Sequence, residues 1–195
     1  EELQRWLVAL YASFAGLSLA LLAYNVALWT VLRHRFQLTY SLMVAALMTY
    51  TFTSSSLAMH AIPMLANNDR LRLNYLLLSL TAVFGLRFVR EFLGPRVIGP
   101  VLRRAISVMS AAAMAATIAF ALLAPMLGWA LDRLYFIANG GMLLLAVPIV
   151  WAAWRAKVHY FWLFLLAWSA PIAVSVARAA HGLGLVEYSF WRDNG

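Results

Sequence analysis

Residues 73–95 read LNYLLLSLTAVFGLRFVREFLGP, an apolar run closed by Arg87, Arg90 and Glu91 and then by Gly94-Pro95. The run is continuous rather than alternating, which is the pattern of a helix surrounded by apolar material on all sides. Fourteen residues separate Arg72 from Arg87. As a helix they span only ~21 Å, short of a ~30 Å hydrocarbon core. Arg87 therefore falls within the inner leaflet and has either to snorkel to the headgroups or to pair. Glu91 lies one turn further on the same face, so the spacing predicts an Arg87–Glu91 pair with Arg90 beside it. Gly94-Pro95 then ends the helix, because the residue before a proline disfavours helical backbone geometry.

The rest of the chain follows the same pattern. It has 195 residues, 65% of them hydrophobic and 11% charged, and a mean hydropathy of +0.81. Soluble domains have about 45–50% apolar and about 25% charged residues, so the composition is that of a membrane protein. Six apolar segments are long enough to cross a bilayer: residues 6–32, 40–62, 73–92, 105–127, 134–154 and 160–180. The fold class expected is all-α, a polytopic transmembrane helix bundle forming one domain over residues 1–195. Strands are excluded because lipid leaves no place for an open sheet edge. Pro148 and Pro171 fall inside spans and predict kinks there.

Charge supplies the orientation. Arg33, Arg35, Arg87, Arg90, Arg96, Arg103, Arg104, Arg155 and Lys157 fall in one set of loops, with Glu91 as that set's single acid. The other set holds six basic residues and six acids. The lysine and arginine excess predicts that the first set is cytoplasmic and the N-terminus external, with the net charge of +8 facing anionic lipid. The arginines are scattered among apolar runs, so nucleic acid is excluded as a partner. Glu1 and Glu2 replace the basic start of a signal peptide. The polar tail after residue 180 would lie outside, and a seventh helix beyond the chain is expected.

The sequence offers no catalytic constellation. It has no cysteine, no Gly-x-Ser-x-Gly elbow, no His-Glu-x-x-His and no Walker loop. No metal, cofactor or catalytic residue is assigned. Lys157, the single lysine, lies in a loop, which excludes a retinal Schiff base within these spans. Thr49–Ser56, TYTFTSSS, places six aliphatic hydroxyls in the middle of the second span. They serve either helix packing, bonding back to their own backbone, or the wall of a polar cavity. His60, Asn74, Asn139, Arg178 and His181 are polar groups in the outer halves of spans. If they converge they form an externally open pocket for a small anionic or polar ligand. Gly140-Gly141, after Asn139, reads as a site of close packing. Tyr24 and Asn25 lie in the first span, where Asn25 is expected to bond across to another helix.

Three stretches share a family likeness: LLAYNVALW (21–29), LRFVREFL (86–93) and YFWLFLLAW (160–168). Together, in this order, they resemble the membrane module of bacterial seven-transmembrane receptors with diverse intracellular signalling modules. The resemblance implies a periplasmic ligand-binding domain before the first span and a cytoplasmic output, such as a diguanylate cyclase or histidine kinase, after a seventh. It assigns Tyr24, Asn25, Arg87, Phe88, Arg90 and Glu91 to recurring family positions. The expected function is a multi-pass sensor and transmission module of the bacterial inner membrane, with the lipid bilayer, its own receptor domains and a homodimeric copy as partners. The alternative is a small transporter or channel subunit with a site between helices broken at Gly140-Gly141, Pro148 or Pro171.

Overall fold

The computed structural model describes residues 2–54, 66–159 and residues 161, 162, 165, 166, 169, 173 and 176. Five helices account for most of them: α1 (Glu2–Leu32), α2 (Arg35–Ser54), α3 (Asn67–Val97), α4 (Pro100–Leu144) and α5 (Ala146–Arg155). No strand occurs among the described residues. The chain divides into two compact units, residues 1–92 and 93–195.

In the first unit, α1 and α2 approach closely along their backbones and are joined by Arg33 and His34 alone. So short a turn requires Arg33 to take left-handed backbone geometry (φ 55), which costs a non-glycine residue about 1 kcal/mol. Its N–H still bonds Trp29 O at 2.9 Å, and its guanidinium lies 5.3 Å from the centre of the Trp29 ring. α5 ends similarly. Lys157 (φ 50) follows its cap, and the Val158 N–H reaches back to Ala153 O at 3.3 Å. Both helices thus stop on a cation in the position glycine usually fills, and that cation faces the negative end of the helix dipole.

α3 begins six residues before the apolar run, with Asp69 in its first turn and Arg72 paired to Asp69 at 3.8 Å. The expected stop occurs where the sequence places it. Gly94 has φ 70 and ψ 178, geometry essentially reserved for glycine, and the helical backbone breaks there. A Cβ at Gly94 would touch nothing within 4 Å, so the backbone angle and not crowding requires the glycine. A short turn follows, closed by Ile98 N–H to Gly94 O at 3.1 Å, before Pro100 opens α4.

The second unit differs from expectation at the predicted loop after residue 127. Helical backbone runs unbroken from Pro100 to Leu144. It is nevertheless not one rod. Phe120 and Tyr135 have ring centroids 6.2 Å apart, whereas fifteen residues of straight helix would separate them by ~22 Å. A Cβ on Gly141 would also collide with Met109 Cε, a residue ~48 Å away along a straight helix. The run therefore doubles back between Phe120 and Tyr135, the interval holding Pro125 and Gly128, residue types that release helical backbone. Its two arms pack as an antiparallel pair through Ile106, Ala113, Thr117, Tyr135 and Met142, all buried.

Pro148 acts upstream of itself. It has no N–H for the carbonyl four residues earlier, and the helix is interrupted at Leu145, whose N–H turns to Met142 O at 3.2 Å. Leu145 keeps right-handed geometry (φ −66), so α5 resumes at once. Gly140 and Gly141 remain inside regular helix.

Both units expose large apolar side chains, and the core of the first unit takes in polar residues beside its apolar ones. The buried positions of α2 include Gln37, Thr39, Ser41 and Thr53, and Ser79 of α3 is fully buried. Large apolar side chains point outward instead: Val31 is 78% exposed, Val101 83% and Leu122 72%. Apolar surface on this scale requires an apolar surrounding. Pro100–Leu123 and Trp129–Arg155 are each long and apolar enough to cross a membrane.

Candidate functional site

In the first unit, side chains of α2 and α3 are hydrogen-bonded at Thr39–Glu91 and at Thr53–Asn74. Thr39 Oγ1 lies 2.8 Å from Glu91 Oε2 and 3.0 Å from Arg35 O. A hydroxyl has one proton to give. It goes to the carboxylate, which is charged and closer, while Arg35 O keeps the ordinary backbone bond of the helix. Thr39 is buried and Glu91 half-buried, so the bond is partly shielded from solvent.

Four turns along α2, Thr53 Oγ1 lies 2.5 Å from Asn74 Oδ1 and near the carbonyls of Thr49 (2.9 Å) and Tyr50 (3.1 Å). Both contacts are satisfied together if the Asn74 amide is turned, so that its NH₂ donates to Thr53 while the hydroxyl donates to its own helix. Around the Thr39–Glu91 tie, Phe36, Tyr40, Phe88 and Phe92 form an aromatic cluster, with centroid separations of 5.5–6.5 Å.

Several expected contacts take a different form. Among the described residues, Arg87 makes no ion pair with Glu91; Arg87 is exposed, and the Glu91 carboxylate is held by Thr39. The two residues share a face, but a long guanidinium arm gains more by reaching outward than by ordering itself beside a half-buried carboxylate. Arg90 is half-buried and engaged. Asn25 does not bond across to another helix. Its Nδ2 donates to Leu21 O at 2.8 Å on its own helix, and the neighbouring Tyr24 is exposed.

The expected outer pocket is described only at two of its members. Asn74 is tied to Thr53 in the first unit. Asn139, in the second, donates to Tyr135 O at 3.0 Å. His60, Arg178 and His181 lie outside the described residues. The hydroxyls of TYTFTSSS that are described follow the packing reading: Thr49, Thr51 and Ser54 donate to carbonyls three or four residues back. Thr53 also reaches another helix, at Asn74. Thr39 was not marked by the sequence. The usable signal was the polar trio Gln37, Thr39 and Ser41 opening an apolar helix, with Thr39 and Thr53 two heptads apart on one face.

A family model described as 7TM diverse intracellular signalling matches residues 8–195. The chain belongs to this family. No curated protein and no solved structure matches it. As a 7TM diverse intracellular signalling domain it is a membrane domain associated with signalling. Its packing supplies the physical counterpart: polar ties between α2 and α3 inside the first unit, large apolar residues outside. The LRFVREFL stretch of this family member contributes Glu91 to one tie and Phe88 and Phe92 to the aromatic cluster.

Proposed function

We propose that this chain is the sensor and transmission module of a bacterial receptor, relaying an external or intramembrane signal to a cytoplasmic output domain. Membership of the 7TM diverse intracellular signalling family over residues 8–195 carries this reading. The module crosses the inner membrane several times with its N-terminus outside, as the arginine distribution favours. Catalysis, in this reading, belongs to a separate output domain, and His60, Asn74, Asn139, Arg178 and His181 are candidates for contact with a small anionic or polar ligand.

Transmission requires two arrangements of the helices that a ligand can bias. The α2–α3 pair, tied at both ends, moves as one piece, and the glycine-only joint at Gly94 gives α3 a place to bend. Tyr24, Asn25, Arg87, Arg90 and Glu91 are the residues through which such movement reaches the cytoplasmic ends.

The absence of cysteine makes topology directly testable. Single cysteines are introduced as Asn68→Cys and Arg35→Cys, and intact cells are treated with a membrane-impermeant maleimide. Asn68→Cys should label from outside and Arg35→Cys only after permeabilisation; the reverse pattern refutes the orientation. For transmission, the full receptor is assayed for output with Thr39→Val and Thr53→Val. Unchanged basal and stimulated output in both variants would argue against a role for the tied pair.

A further inference from the structure

We propose that the α1–α2 turn and the neighbouring last turns of α3 form a binding site for the headgroup of an anionic phospholipid. Arg33, His34 and Arg35 are exposed on the turn, and Arg87 is exposed on α3. The Phe36 ring, 6.5 Å from Phe88 and 6.0 Å from Phe92, brings these two sequence-distant segments to the same end of the first unit. Residues 33–40 and 86–92 together hold four arginines and one acid, Glu91. That acid is oriented toward Thr39 rather than toward Arg87. The end of the unit thus carries positive charge that its own carboxylate does not neutralise.

The guanidinium of Arg33 is set to accept a phosphate. It lies 5.3 Å from the centre of the Trp29 ring, a cation–π contact that uses the π face of the indole and no N–H donor, so the donors remain available to phosphate oxygens. The left-handed backbone of the two-residue turn sets the direction in which its side chain departs, and the Trp29 contact restrains its far end.

The surroundings choose a lipid over a soluble anion. The cationic patch is bordered by exposed apolar side chains: Val31, Leu32, Leu38 and Phe92. A free phosphate would engage the arginines and leave this border in contact with water. A phospholipid satisfies both, placing phosphate on the guanidinia and acyl chain on the apolar rim. Basic residues next to a membrane segment attract anionic headgroups by about fivefold in affinity each.

The test uses this chain in nanodiscs of phosphatidylcholine alone or doped with phosphatidylglycerol, with bound lipid counted by native mass spectrometry. The wild type should retain phosphatidylglycerol selectively. Combining Arg33→Gln, Arg35→Gln and Arg87→Gln should lower that preference on the order of a hundredfold. A matched set in the second unit, Arg96→Gln, Arg104→Gln and Lys157→Gln, removes equal charge from exposed positions and should lower the preference clearly less. If the triple variant melts below wild type, Arg87→Gln alone should still cost about fivefold. An undiminished preference in the triple variant overturns the proposal. So does an equal loss in the matched set, which would mean general surface attraction. Displacement of the lipid by millimolar inorganic phosphate would instead mark a soluble-anion site and likewise overturn it.

Discussion

Replacing Thr39 by valine removes one hydroxyl and almost no volume, which makes it the cleanest probe of the α2–α3 interface. The hydroxyl lies 2.8 Å from Glu91 Oε2, and Arg35 O, its other neighbour, keeps a backbone partner. Only the carboxylate is therefore deprived. Hydrogen bonds to charged groups contribute about 1.5–3 kcal/mol in soluble proteins. Interhelical bonds in membranes average only about 0.6 kcal/mol, with a maximum near 1.7, because separated helices find other partners. The ionised acceptor argues for the upper part of the membrane range, and the half-burial of Glu91 prevents it from going higher, since water can replace part of the bond. A coupling of about 1–1.5 kcal/mol is expected. The assay is a double-mutant cycle of Thr39→Val and Glu91→Gln, unfolded reversibly in mixed micelles. A parallel cycle of Arg87→Gln and Glu91→Gln should give about zero within ~0.3 kcal/mol, since additive pairs agree to that level. A Thr39–Glu91 coupling as small as that, or a larger value for Arg87 than for Thr39, would refute the assignment.

Gly94→Ala forces a Cβ onto φ 70 and ψ 178 and should destabilise the chain by about 1–3 kcal/mol in the same unfolding assay, although the space beside it is empty. Gly141→Ala meets only Met109 Cε, the movable end of a flexible side chain, and Gly140→Ala meets nothing; melting should hold or rise for both, less for the first, and a clear fall for Gly141→Ala would show that Met109 has no room to move. Gln37 is buried with Oε1 unbonded, so Gln37→Leu should be neutral or stabilise by up to about 1 kcal/mol, measured as a melting shift.

The helices were legible where composition alone decides them. The apolar runs, the break at Gly94-Pro95 and the interruption caused by Pro148 all follow from residue types that act on their own backbone. The helix ends at Arg33 and Lys157 were not, because the left-handed stop is usually marked by glycine and here a cation takes it. The reversal of α4 falls between Phe120 and Tyr135, the interval in which a loop was expected, and it is tighter than a separate loop because the helix resumes at once. The site was less legible than the fold. Arg87 and Glu91 satisfy the spacing of a helical pair, but spacing cannot register a competitor fifty-two residues away in sequence, and Thr39 is that competitor. Asn25 illustrates the same limit in reverse: a polar group in a span needs a partner, and the nearest carbonyl was on its own helix.

The paired ties also limit what kinds of sequence change α2 can absorb. Thr39 and Thr53 are fourteen residues apart, close to four whole turns, so both face α3. Inserting or deleting a single residue between them would rotate one tie by ~100° relative to the other and shift it by ~1.5 Å. No rigid adjustment of the helix could then restore both. Substitutions at exposed positions of this segment, such as Leu42 and Phe52, leave that phase intact. Related chains should therefore vary freely there in residue type while keeping the length between the two threonines fixed.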